Sequence, residues 1–433
     1  MDKILSLARN EGEQAELFTV KETKTPVQFE NNRLKSVKTH QQESTALRLI
    51  SPQGRLGFST TTALEHPEAL WEKAREASRF GREFQTSLPG ENPPELANMY
   101  DQEALDLPME RMMEMGEELV KRVQEENSQV LAHAAVVKMC HQVNIKNTRG
   151  LDTSYQRTVF SVGGAAMLLV GKSFLHVRQQ KALPHLITDL EDLKAELVED
   201  LRHGAREVEV EPGSYPVLFA PEAMGDLMRP LLVSLNGQSV EKQVSPFRDR
   251  RGEKLFDRRL QLTDMPHRPF SPGMCPVDDE GVPTAETPLI EEGVIKHFPV
   301  DLLTAHSLGV EPSGHGLRSQ PKSLPSPEVH TCVMSPGEGQ VEDMLKSMKR
   351  GIFIKDLMGA WAGNPYSGEV NGNISLGFLV EDGEIQGRIK DCMLSLNSFE
   401  ALSQQLLDFS RERKWVGRYL FPYALLDGVS ITS

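Results

Sequence analysis

The chain has 433 residues, with 48 Lys plus Arg against 62 Asp plus Glu, and so a formal net charge of -14. That acidity argues against nucleic acid as a default partner, because neutralising phosphates takes a basic footprint. Apolar content of 39% with 25% charged residues describes a globular protein of two domains, or three, and no apolar run approaches the length of a membrane span.

The opening MDKILSLARNEGEQAELF is polar and amphipathic, without the apolar core of a signal peptide. It predicts a helix over residues 2–11, and the cytoplasm is the expected compartment. AELFTVKET and TPVQFENNRLKSVKTHQQESTALRLI then alternate apolar and polar residues, as half-buried antiparallel strands do. SPQG is a turn, and RLGFSTTTAL returns as the next strand. A helix over 67–80 has Pro67 near its start and Gly81 just past its end. The proline-rich QTSLPGENPPELANMYD reads as a surface loop.

MERMMEMGEELVKRVQEEN places Met112, Met115, Leu119 and Val123 at helical spacing. Methionines suit an adaptable binding face, but a core stripe is the simpler reading. SQVLAHAAVVKMCHQVNIKNTRGLDTSYQRTVFSVGGAAMLLV is strand-like, with a turn at NTRG. His133 and His141 fall on one face of that strand and Cys140 on the other. Two histidines so placed could bind a metal; structural histidines are the preferred reading. A further helix runs from about residue 189 to Gly204.

Pro212 and Gly213 mark the expected boundary between an N-terminal domain (1–210) and a C-terminal domain (211–433). The predicted fold class is α+β: an N-terminal domain of mainly antiparallel strands with packed helices, then a mostly β domain with few helices. The second half carries long loops at 238–290 and 310–336. In the first of these, RDRRGEKLFDRR interleaves Asp249, Glu253 and Asp257 with its arginines and reads as an ion-paired loop, not a phosphate site.

Few motifs carry chemistry. Cys140, Cys275, Cys332 and Cys392 have neither disulfide-framework nor zinc-finger spacing. PVDDEGVPT gathers Asp278, Asp279 and Glu280, which could offer oxygens to calcium or magnesium, but it lacks EF-hand spacing and a polar turn is preferred. His297, His306, His315 and His330 could meet in space, though without a motif. No GxSxG elbow supports Ser/His/Asp catalysis. In YPVLFAPEAMGD, Glu222 and Asp226 should share one face of a helix's first turn. Proline and acids there are ordinary start signals, and the like charges repel mildly.

The chain resembles the TldD/TldE family of peptidase-related proteins, whose second branch is also called PmbA, a modulator of DNA gyrase. The resemblance rests on PEAMGD after a strand, and on NNRLKSV, LRLISPQGRLGFSTTTAL, PVDDEGVPT and SGHGLR in order. The active branch carries a His-Glu-x-x-x-His helix in the place of PEAMGD. The resemblance therefore puts Glu222 at the general-base position, and Pro221 and Asp226 at the two histidine ligands. The third ligand of that branch is a cysteine ahead of an E-N-G turn. Counting back from Glu381-Asp382-Gly383 puts Ser375 there.

Proline, carboxylate and hydroxyl offer none of the nitrogen or sulfur that zinc prefers, so no cofactor is expected, although the active branch uses zinc. The expectation is a non-catalytic subunit or homo-oligomeric relative that contributes to assembly and unfolded-peptide access. Its partners would be a second copy or a zinc-bearing TldD-like subunit, and an extended peptide. Neither a membrane nor direct nucleic-acid binding is expected. The alternatives are an active metallopeptidase with unconventional ligands, and a regulatory protein-binding factor.

Overall fold

Period-two patterning builds two sheets in the computed structural model, which describes residues 1–63, 65–90, 92–93, 95–360 and 362–433. Leu64 at the end of RLGFSTTTAL, and Glu91 and Pro94 of the proline-rich loop, therefore lie outside the described residues. The N-terminal half comprises α1 (Asp2–Asn10), β1 (Gln14–Glu30), β2 (Arg33–Val37), β3 (His40–Ile50), β4 (Leu56–Thr61) and α2 (Pro67–Ser78). It continues with α3 (Gln102–Asp106), α4 (Met109–Glu126), β5 (Leu131–Asn147), β6 (Asp152–Val170), β7 (Ser173–Leu183) and α5 (Glu191–Gly204). Its antiparallel sheet has the order β4-β3-β1-β5-β6-β7, with β2 on β1.

The two stretches expected as separate strands around Pro26 are one continuous β1. Pro26 is tolerated because β3 stops pairing at Lys24 and β2 starts at Val27, so no ladder bond is lost on that side. The longer stretch expected as one strand is in turn divided. Asn31 and Asn32, with φ of 49° and 68°, make the two-residue turn into β2. Asparagine tolerates that left-handed backbone.

Register along β5 and β6 is unbroken, so parity fixes each side chain's face. At one end of β5 the even residues Ala132, Ala134 and Val136 are buried; at the other, the odd residues Val143 and Ile145. The sheet is thus covered on opposite faces at its two ends. The first face packs against α4 and α5, and the second meets Val277 of the PVDDEGVPT loop.

The C-terminal half comprises β8 (Glu207–Val208), β9 (Gly213–Phe219), α6 (Pro221–Leu235), α7 (Gly237–Glu241), β10 (Leu262–Asp264), β11 (Thr287–Glu291) and β12 (Val294–Ile295). Next come α8 (Leu302–Leu308), β13 (Gly316–Leu317), β14 (Ser326–Pro327), β15 (Cys332–Met334), α9 (Val341–Ser347), β16 (Arg350–Met358) and β17 (Glu369–Glu381). The last strands are β18 (Glu384–Ile389), β19 (Met393–Asn397), β20 (Leu406–Val416) and β21 (Tyr419–Thr432). The fold is α+β, and this half is mostly strand with few helices. The long loop expected over 238–290 is interrupted by α7 and β10. The larger sheet has the order β12-β11-β10-β15-β21-β9-β16-β17-β18-β8. Its parallel neighbours are β9 with β16, β15 with β21, and β8 with β18.

One core joins the halves. It contains Met112, Leu119 and Val123 of α4 and Leu197 and Leu201 of α5. The same core holds Leu218, Phe353, Phe378 and Leu425 from the larger sheet. Met112 and Met115 are accordingly core, each side chain's burial contributing roughly 1.5–3 kcal/mol. No described helix is long and apolar enough to cross a membrane.

Candidate functional site

Strand β9 ends at Phe219, and the Ala220 N–H donates to the Ile354 carbonyl, fixing where the chain leaves the sheet. Pro221 then starts α6, where its missing N–H costs nothing. Ala223, Met224, Leu227 and Met228 bury one face of the helix, which leaves Glu222 and Asp226 half-buried on the other. Glu222 projects into a cavity of about 730 Å³ between the N-terminal sheet and the larger sheet. His133, Ser161, His176 and Arg178 line one wall; Lys355, Asp356 and Trp415 line the other. Ala135, Gly163 and Ala165 keep the floor low.

Two charge clusters surround α6. In the first, Ser375 on β17 donates its hydroxyl to Asp356 Oδ2, and Arg178 Nη2 donates to Asp356 Oδ1 at 2.9 Å. Burial pushes the Asp226 carboxyl up, and the nearby Asp356 charge pushes it further. The like charge that raises Asp226 is thus Asp356, brought in by β16, while Arg229 and Arg178 oppose it.

In the second cluster, Lys414 Nζ lies 2.6 Å from Glu196 Oε2 and 3.8 Å from Glu222 Oε1, and 5.7 Å from the Tyr423 ring. Burial disfavours the Lys414 charge, but Glu222, Tyr423 and Glu196 outweigh it and raise the ammonium's pKa. Glu222 Oε2 is buried without a hydrogen-bond partner among the described residues. Across the cavity Lys355 donates to Asp200, which also accepts from Gln179. Burial holds His176 below the usual imidazole range, with Arg178 adding to the effect.

The structure thus brings Asp226 and Ser375 together through Asp356, and sets Glu222 beside Lys414. Sequence reasoning missed Asp356, Arg178, Lys355, Lys414 and Glu196. Each is one charged residue on an alternating strand or a helix, and only three-dimensional pairing distinguishes it. The side chains brought together there, Asp226, Ser375 and Asp356, offer only oxygen, and both Asp356 oxygens are already bonded. That set, with no imidazole or thiolate in it, does not fit zinc. Among the described residues no three His, Cys, Asp or Glu side chains are placed to hold a metal together.

The other candidates separate. His141 bonds Glu22 at 3.0 Å, whereas His133 lines the cavity far along the same strand. His315 and His330 meet, ring centroids 5.6 Å apart, both buried. His297 bonds the Pro288 carbonyl, and His306 lies on α8. His330 Nδ1 faces Cys275 Sγ at 3.0 Å, and burial drives the imidazole down to about 4. Asp278 accepts the backbone N–H groups of Glu280, Val282 and Gly316, so PVDDEGVPT is a turn built on its own carboxylate. In the arginine-rich loop, Arg248 pairs with Asp249, Arg250 with Glu253 and Arg259 with Asp257.

Residues 212–433 match the PmbA/TldA metallopeptidase C-terminal domain, and residues 15–79 match PmbA/TldA metallopeptidase domain 1. An uncharacterized protein of Methanocaldococcus jannaschii is 22% identical over 94% of each chain. The zinc metalloprotease TldD homolog of Saccharolobus solfataricus is 26% identical over 199 residues, which is 44% of this chain and 43% of that relative. The match thus spans less than half of that named metalloprotease. The crystal structure of TldE from Thermococcus kodakarensis superposes with a TM-score of 0.90 at 23% identity, covering 100% of both chains. At that identity the likeness is one of fold.

Proposed function

The chain belongs to the PmbA/TldA (TldD/TldE) metallopeptidase family, and from that premise we propose that it is a non-catalytic, TldE-like member. On this reading Pro221, Asp226 and Ser375 stand at degenerate metal-ligand positions, and Glu222 at a vestigial general-base position. The observation that carries it is the content of the α6 site. Asp356 is tied to Ser375 and Arg178, and Glu222 lies beside the Lys414 ammonium. Without a bound metal no water is made acidic enough to attack a peptide at neutral pH.

The remaining roles are assembly and substrate access. The chain would pair with a second copy or with a zinc-bearing TldD-like subunit, and the cavity facing Glu222 would admit extended peptide. A cleft of this volume, lined on both walls by polar and charged side chains, suits a ligand.

Metal analysis and peptide cleavage, measured on the chain alone and with a His-Glu-x-x-x-His subunit, test the reading. The chain alone should carry no stoichiometric zinc and show no chelator-sensitive cleavage, with cleavage appearing in the mixture. Tight zinc and chelator-sensitive cleavage by the chain alone would overturn it.

A further inference from the structure

A second cavity of about 550 Å³ lies farther along the open face of α6. Glu222 sits in the first cavity, while Gly225, Arg229, Leu232 and Asn236 line the second. These positions recur at helical spacing on the side of α6 that is not buried. From Glu222 to Asn236 the helix rises about 21 Å, the reach of about six residues of extended chain. A peptide held near Glu222 therefore passes the second cavity within its own length.

The Arg229 and Glu328 charges line this cavity, and several of its other polar groups are spent on neighbours. The Asn236 amide donates to the Pro327 carbonyl and accepts from the Gln238 N–H. Gln238 Oε1 accepts from Lys242, and the Ser239 and Tyr366 hydroxyls bond at 3.1 Å. The apolar surface left to a ligand comes from the partly exposed Leu232, Val233, Tyr366 and Tyr419, since Leu289 and Phe421 are fully buried behind them. The Tyr419 and Phe421 rings are nearly parallel, 13° apart with centroids at 5.3 Å. Aromatic surface of this kind favours a further ring over an aliphatic group of equal area.

We propose that this second cavity is a subsite for an aromatic side chain of an extended peptide bound along α6. The inference rests on the peptide-access reading above and adds a side-chain preference to it.

The test uses the full-length chain. The probes are two hexapeptides that differ only in one Phe or Ala, and the capped single residue N-acetyl-phenylalanine amide. A Cβ at Gly225 would meet nothing within 4 Å, so Gly225→Leu has room to start into the cavity mouth. Tyr366→Ala removes part of the wall and serves as the second variant. Wild type should bind the Phe peptide about tenfold more tightly than the Ala peptide. Gly225→Leu should erase that preference at an unchanged melting temperature. A preference that survives in both variants, or no binding of any probe, overturns the subsite. Binding of the capped residue alone, lost in Gly225→Leu, keeps the aromatic subsite and overturns the peptide-access reading instead.

Discussion

Lys414 links two acids that would otherwise repel. Its ammonium serves Glu196 at 2.6 Å and Glu222 at 3.8 Å. Lys414→Met keeps the apolar stem and removes the charge, leaving both carboxylates without their cation. The expected loss is about 1–3 kcal/mol in urea unfolding at pH 7. Because the folded state holds the Lys414 proton more tightly than the unfolded chain does, the deficit should shrink only as pH rises above the ordinary lysine range. Asp301 is a second residue with a pH signature. Burial and the nearby Glu280 charge push its carboxyl from 3.8 up to about 6. The folded state therefore holds that proton more tightly than the unfolded chain. Its contribution to stability is full below about pH 4 and is lost as pH rises through 6. Asn keeps an acceptor for the Thr304 N–H and stays uncharged. Asp301→Asn should stabilise the protein at pH 8 by up to about 3 kcal/mol, with the gain vanishing near pH 4. Urea midpoints at the two pH values check it, and an equal effect at both would place the raised pKa elsewhere.

At the scale of elements, the strands and amphipathic helices were legible because period and punctuation are local. The turn at Asn31-Asn32 and the unbroken run through Pro26 were not. The first depends on two asparagines accepting left-handed backbone, and the second on which neighbour needs an N–H at that position. Helix α6 shows the same division. Its start at Pro221 and its open acidic face follow from the sequence. Its charge environment does not, because Asp356, Arg178 and Lys414 arrive on β16, β7 and β20. The assignment of Pro221, Asp226 and Ser375 to ligand positions can be tested by rebuilding them. Pro221→His, Asp226→His and Ser375→Cys together supply two imidazoles and a thiolate on the same helix and strand. Elemental analysis should find about one zinc per chain in the triple variant. A triple variant that folds but stays metal-free would show that these positions do not converge as the family comparison implies.

The whole molecule is held by what its halves share. Arg48 on β3 is buried between Glu16 on β1 and Glu280 of the PVDDEGVPT loop, and Arg318 reaches Glu16 at 3.1 Å. Burial opposes the Arg48 charge, but Glu16 and Glu280 more than offset this and raise its pKa. Removing one partner strands a buried charge, so Glu280→Gln should cost about 3–5 kcal/mol. The apolar seam is broader still. Leu218, Phe353, Phe378 and Leu425 of the larger sheet cover the same α4 and α5 side chains that cover the N-terminal sheet. A chain divided at the linker expected near residues 210–212 would expose both sides of that seam. Residues 1–210 expressed alone should therefore bind a hydrophobic dye and lose their cooperative thermal transition, whereas the full chain should unfold in one transition with coincident fluorescence and circular dichroism. Two separate transitions in the full chain, or a cooperative 1–210 fragment, would mean that each half completes its own core. The α4–α5 layer would then be a docking surface between independent domains, and motion across the Glu222 cavity would cost far less than the shared core implies.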